Sequence, residues 1–88
     1  MSAKVEIFTG ANCAYCVAAK TLLKSKGLDY QEFRIDLDPA RREEMLVRSE
    51  NRRTVPQIFI NGEYVGGFDD LAAADRSGKL AQLIGIGA

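Results

Sequence analysis

The chain has 88 residues, 47% of them apolar, and its 12 lysines and arginines are matched by 12 aspartates and glutamates. That length suits a single domain spanning 1–88 with enough apolar material for a core, and the lack of net positive charge argues against a general nucleic-acid or membrane-surface binder. No apolar run is long enough to span a bilayer, and Met1-Ser2-Ala3-Lys4 leads into strand without a signal-type segment, so a cytoplasmic protein without membrane contact is expected.

In chain order, Lys4-Val5-Glu6-Ile7-Phe8 alternates, with valine and isoleucine on one face, and predicts a first strand ending in the turn-prone Thr9-Gly10-Ala11-Asn12. From Cys13 to Lys26 the residues Cys16, Ala19, Leu22 and Leu23 recur at helical spacing, and Gly27 offers a left-handed cap. Tyr30 to Asp36 alternates again, Phe33 and Ile35 against Glu32 and Arg34, as a second strand does. Asp38-Pro39 is a capping side chain followed by proline at the first helical position, which predicts a helix to about Ser49. Met45, Leu46 and Ser49 share its inward face. Arg41, Arg42, Glu43, Glu44 and Arg48 read as a solvated face with local ion pairs.

After the polar Glu50-Asn51-Arg52-Arg53 and Thr54-Val55-Pro56, Gln57-Ile58-Phe59-Ile60 reads as a short buried strand. Asn61-Gly62 is a hairpin signal that returns Glu63-Tyr64-Val65 antiparallel. Gly66-Gly67 ends the sheet where backbone must turn or approach a ligand closely. Asp69 or Asp70 can cap a third helix that runs through Asp75 and stops at Gly78, and Leu80, Leu83 and Ile84 suggest a last short helix before a glycine-rich end. The order βαβα then ββα predicts an α/β fold, with a parallel pair and an antiparallel hairpin in one mixed four-stranded sheet, helices covering both faces.

The only two cysteines form Cys13-Ala14-Tyr15-Cys16 at the junction of the first strand and helix. Two intervening residues on a first helical turn bring both sulfurs within disulfide reach and leave Cys13 at the helix end, where unpaired N–H groups and the helix dipole favour the nucleophilic thiolate. A structural staple across so short a loop removes little entropy from the unfolded chain. A zinc site would lack ligands, because the chain has two cysteines and no histidine. Redox exchange is the favoured chemistry, and it fits a reducing compartment.

Three separated blocks resemble the glutaredoxin branch of the thioredoxin fold: Cys13-Ala14-Tyr15-Cys16, Thr54-Val55-Pro56-Gln57-Ile58-Phe59-Ile60, and Gly66-Gly67-Phe68-Asp69-Asp70. The resemblance extends over nearly the whole chain, and Arg41-Arg42-Glu43-Glu44-Met45 is similar to bacterial dithiol members. It implies that Cys13 attacks and Cys16 resolves. Glutathione is the implied co-substrate, with Tyr15 walling its cleft and Thr54 beside it. A cis Val55-Pro56 bond is implied, with Val55 pairing the cysteine part of glutathione. Phe68 and Asp69 would meet its γ-glutamyl end and Arg52 its glycine carboxylate. Each of these positions also has a plainer reading: Pro56 as a trans strand-opener, Asp69 as a helix cap, Arg52 as a solvated arginine.

Three positions depart from the family pattern. Ala14 stands where proline is usual, Gly10 where lysine is frequent, and Phe68 where cysteine or a small polar residue is common. The resemblance implies a monomeric glutathione-dependent oxidoreductase acting on glutathionylated and disulfide-bonded proteins. Its alternative is a two-chain [2Fe–2S] carrier in which each chain gives Cys13 and two glutathione thiolates complete the set. A hydrogen donor recharged by a reductase is the third reading, disfavoured by the glutathione-like third block.

Overall fold

The computed structural model describes residues 3–85, so Met1, Ser2 and the glycine-rich end at 86–88 lie outside the described residues. The elements are β1 (Val5–Thr9), α1 (Ala14–Ser25), β2 (Gln31–Arg34), α2 (Pro39–Arg48), β3 (Gln57–Ile60), β4 (Glu63–Gly66), α3 (Phe68–Ser77) and α4 (Lys79–Ile84). Among the described residues no helix is long and apolar enough to cross a membrane.

The strands form one four-stranded sheet in the order β2-β1-β3-β4. β1 runs parallel to β2 with Phe8 opposite Phe33 and antiparallel to β3 with Ile7 opposite Ile58. β3 and β4 make the expected hairpin: Asn61 and Gly62 have φ of 51° and 84°, the left-handed pair that a two-residue turn needs. A register shift at Ile58/Phe59 follows. The turn is anchored, since Lys4 N–H donates to Asn61 Oδ1 at 2.9 Å and Asn61 Nδ2 donates to the Leu83 carbonyl at 2.9 Å.

Strand alternation divides the core into two layers. Val5, Ile7, Ile58 and Ile60 pack with Ala19 and Leu23 of α1, Leu71 and Ala74 of α3 and Leu80 of α4. Phe8 and Phe59 face Met45 and Leu46 of α2. Helices thus cover both faces as expected, α1 and α3 on one and α2 on the other.

Helix ends are set by local chemistry. Asp38 accepts from the Ala40 and Arg41 N–H groups, with proline next in the chain. α1 stops where Gly27 adopts φ 73°, and the Gly27 and Leu28 N–H groups return to the Lys24 and Leu23 carbonyls, the paired closure of a left-handed cap.

One residue of α2 departs from the expected solvated face. Arg48 does not belong to a solvated face: its guanidinium pairs at 2.9 Å with Glu6 of β1, a side chain only 8% exposed, and lies 4.2 Å from the Phe59 ring centroid. Arg41 likewise sits 4.0 Å over Phe33. The expected local pairs do form, Arg41 and Arg48 both reaching Glu44. Glu6, on the buried side of a central strand, needs a compensating cation, and Arg48 supplies it.

Candidate active site

The site is assembled where β1 feeds α1. Asn12 takes a left-handed φ of 52°, and the chain then enters the helix with Cys13 as its N-cap in an extended conformation. Cys13 Sγ accepts the Cys16 N–H at 3.1 Å. A sulfur thus occupies the place of a capping oxygen, at the positive end of the helix dipole, and as a thiolate it gains most from that donor. The two cysteines are joined as a disulfide with their Cα atoms 5.2 Å apart. They differ in access: Cys16 is 2% exposed, whereas Cys13 is partly exposed. Only Cys13 can be approached by an incoming disulfide.

The Val55-Pro56 bond is cis, and the Val55 carbonyl oxygen lies 3.7 Å from Cys13 Sγ. Pro56 is therefore not a trans strand-opener. From this point a cleft of about 250 Å³ extends, and Tyr15, Arg52, Thr54, Val55, Phe68 and Asp69 all line it. Every non-cysteine site residue expected from sequence is thus gathered around one cavity.

Different elements supply each of them. Tyr15, 64% exposed, projects from the first turn of α1 with its ring 6.0 Å from that of Phe68. Arg52 leaves α2 through a left-handed turn, Glu50 and Asn51 having φ of 58° and 69°. The Asn51 N–H folds back to the Leu46 carbonyl at 2.7 Å, and buried Ser49 donates its hydroxyl to the Arg52 carbonyl at 3.3 Å. The loop is pinned before Arg52 reaches the cleft.

At α3, of the two aspartates expected to cap, Asp70 does so, from the N3 position. Gly67 is the N-cap residue, and Asp70 reaches back so that its carboxylate accepts the Gly67 N–H at 3.1 Å. Gly66, at φ 122°, has no room for a Cβ, which would overlap the Asp70 carboxyl group. The glycine pair lets the helix start close to the cleft, leaving Asp69 at its rim rather than capping. Asp70 itself lines the cavity too.

Sequence reasoning passed over Gln57. It is 1% exposed and lines the cleft. A polar side chain inside a strand otherwise composed of isoleucine and phenylalanine was the available signal, since buried amides need partners.

Chemically, the arrangement offers one accessible sulfur at a helix start, a second, buried sulfur bonded to it, and a cleft with one cation and two carboxylates. It suits thiol–disulfide exchange with a small polar thiol compound. A model of the family described as glutaredoxin matches residues 5–65. The chain belongs to the glutaredoxin family. It is 54% identical over 82 residues to glutaredoxin 3 of Escherichia coli strain K12, an alignment covering 93% of this chain and 98% of that protein. A probable glutaredoxin of Synechocystis sp. is 46% identical over 84 residues, with 96% of each chain covered.

Solved glutaredoxins agree in fold. The solution structure of glutaredoxin from Brucella melitensis matches with a TM-score of 0.79 at 45% identity, covering 97% of this chain and 91% of that one. The crystal structure of a buckwheat glutaredoxin–glutathione complex matches with 0.82 at 30% identity, covering 93% and 76%. The fold is that of thioredoxin, and this glutaredoxin is a thiol–disulfide oxidoreductase with a redox-active cysteine pair.

Proposed function

We propose that the enzyme is glutathione-dependent, reducing glutathione mixed disulfides and protein disulfides with Cys13 as nucleophile and Cys16 as resolving thiol. The observation carrying this reading is that the cleft beside Cys13 is lined by Tyr15, Arg52, Thr54, Val55, Phe68 and Asp69 together. A glutathione-complexed relative of the same fold supports it. The Val55 backbone pairs with the cysteine part of glutathione. Arg52 takes the glycine carboxylate, and the Phe68 N–H and Asp69 side chain take the carboxylate and ammonium of the γ-glutamyl end, where a helix start favours the anion. Tyr15 and Thr54 wall the cleft.

The Cys13 thiolate attacks the glutathionyl sulfur of a protein–glutathione disulfide, forming a Cys13–glutathione disulfide and expelling the protein thiolate, which takes a proton from solvent. A second glutathione thiolate then attacks that glutathionyl sulfur, releasing oxidised glutathione and the Cys13 thiolate. With a protein disulfide, Cys13 first forms a mixed disulfide with one protein sulfur and frees the other. Cys16 then attacks Cys13 Sγ, releasing the reduced protein and leaving the Cys13–Cys16 disulfide, which two glutathiones reduce. We further propose a monomeric, single-domain cytoplasmic enzyme. Nothing observed favours the two-chain [2Fe–2S] reading.

The test separates the two sulfurs. Cys13→Ser abolishes turnover of a glutathionylated peptide, while Cys16→Ser retains most of it and loses reduction of protein disulfides. Equal loss in both variants on the glutathionylated peptide would overturn the assignment of roles.

A further inference from the structure

Behind the cleft lies a chain of hydrogen bonds that the reaction as described does not use. Gln57, almost fully buried at the start of β3, has both ends of its amide engaged: Oε1 accepts from the Tyr64 hydroxyl at 2.6 Å, and Nε2 donates to the Thr54 carbonyl at 2.9 Å and to Thr54 Oγ1 at 3.2 Å. Tyr64 comes from β4, and its ring is held against Phe59 with centroids 5.1 Å apart. The Tyr64 hydroxyl is pushed above its ordinary pKa by burial, so it remains a proton donor to the amide. Because the Thr54 carbonyl can only accept, it fixes which end of the Gln57 amide is NH₂, and the Tyr64 hydroxyl then donates to the oxygen at the other end. Thr54 is followed by Val55, whose carbonyl lies beside Cys13 Sγ.

Thr54 and Val55 belong to a segment with no regular secondary structure between the loop and β3. Such a segment has no ladder hydrogen bonds to hold its backbone, and its orientation has to come from side chains. We infer that Tyr64 and Gln57 are positioning residues: their relay, anchored in the hairpin, holds the Thr54–Val55 backbone in the orientation that binds the glutathionyl group beside Cys13. The inference rests on the glutathione reading above. Neither residue touches the reacting sulfurs, so the relay governs affinity for the substrate and leaves the reactivity of Cys13 alone.

Two variants test this. Tyr64→Phe keeps the ring on Phe59 and removes only the hydroxyl. Gln57→Glu keeps the shape and the acceptor for Tyr64, but an ionised carboxylate cannot donate to Thr54 and meets its carbonyl oxygen instead. Each is expected to raise KM for a glutathionylated peptide by up to roughly tenfold, the order that follows from losing one partly buried hydrogen bond, with kcat within about twofold. In Tyr64→Phe, which adds no charge, the alkylation rate of reduced Cys13 by iodoacetamide, a small reagent that needs no cleft, stays at the wild-type value. The same peptide capped with mercaptoethanol serves as the control substrate.

A purely structural role would lower the unfolding midpoint and leave KM unmoved. Folded variants with wild-type KM, in an enzyme that prefers the glutathionylated over the mercaptoethanol-capped peptide, would overturn the inference alone. A wild-type enzyme without that preference would overturn both it and the glutathione reading. If Gln57→Glu fails to fold, Tyr64→Phe decides the question by the same measurements.

Discussion

On the face under α1 and α3, the sheet presents Val5, Ile7, Ile58 and Ile60 to Ala19, Leu23, Leu71 and Ala74, all buried and all aliphatic. On the opposite face, Phe8 and Phe59 meet Met45 and Leu46 of a single helix, and Arg48 lays its guanidinium near both rings while pairing with Glu6. The difference follows what each face carries. α1 carries Cys16 and is capped by Cys13, and α3 bears Phe68 and Asp69, so the relative placement of the cysteine pair and the cleft rests mainly on close aliphatic packing. α2 contributes no side chain to the cleft, and its layer combines rings with a charge pair whose strength depends on pH.

The largest effect should come from breaking the aliphatic layer. Leu23→Ala removes a side chain with no exposed surface from between two helices and the sheet, and should cost about 3 kcal/mol, within the range for buried leucine truncation. Leu46→Ala, at the margin of the α2 layer, should cost less, because that site opens towards solvent and can relax. Urea unfolding of both variants gives the comparison directly. Equal losses would mean that the two layers are equally well packed.

A smaller effect should follow from Arg48→Ala. It strands the Glu6 carboxylate against Phe8 and Phe59 and should cost about 2 kcal/mol, less than a fully buried pair because Arg48 is itself partly exposed. Adding Glu6→Gln should recover much of the loss, since the stranded charge is then gone. Non-additivity in this double-mutant cycle measures the coupling, and strict additivity would reduce the pair to a bystander.

The same pair should make the α2 face sensitive to acid. Hydrogen bonds from Arg48 hold the Glu6 carboxyl below its ordinary 4.5, against an opposing effect of burial. A folded pKa below the unfolded one means that the stabilisation is fully present above pH about 4.5 and drains away as pH falls through the folded value. Glu6→Gln should therefore flatten part of the decline in unfolding free energy below pH about 4.5. Glu32, held low by the Thr9 hydroxyl and then by Lys20, and Asp36, held low by Arg34, keep the remainder. A wild-type slope unchanged by Glu6→Gln would show that Glu6 titrates alike in both states.

How much of this was legible beforehand depended on the range of the interaction. Strand alternation, the Asp38-Pro39 start, Gly27 and Asn61-Gly62 are local signals, and the elements they announce are all present. The dithiol's position at a helix start is equally local. Arg48 was misread because a charged helix face looks solvated until the strand opposite is known to bury Glu6. At α3 the choice between Asp69 and Asp70 stayed open because Gly67, the N-cap residue, has no side chain to advertise it; Asp70 closes on it from one turn further on. The convergence of Arg52, Thr54 and Phe68 on one cleft came from family resemblance, since no periodicity connects α1, the loop before β3 and α3. Gln57 was invisible as a relay because its partner Tyr64 is supplied by the pairing of β3 with β4.

The smallest effect expected is a gain, at the end of the α2 layer. Glu50 holds a φ of 58° immediately after the C-cap residue Ser49, a conformation in which a Cβ crowds the backbone and which glycine enters without that cost. The turn it makes is required: it carries the Asn51 N–H back to the Leu46 carbonyl and sends the chain towards Arg52. Asn51 shares the left-handed conformation, but asparagine tolerates it better than glutamate, so Glu50 is the position to change. Glu50→Gly should raise stability by about 0.5 kcal/mol, because relief of the left-handed residue exceeds the extra freedom glycine gives the unfolded chain. Its side chain is exposed and forms no ion pair among those described, so little is lost in exchange. A raised urea midpoint with unchanged turnover of a glutathionylated peptide would show that the α2 layer can be strengthened without touching the cleft. A lowered midpoint would mean that unfolded-chain entropy outweighs the backbone relief at this turn.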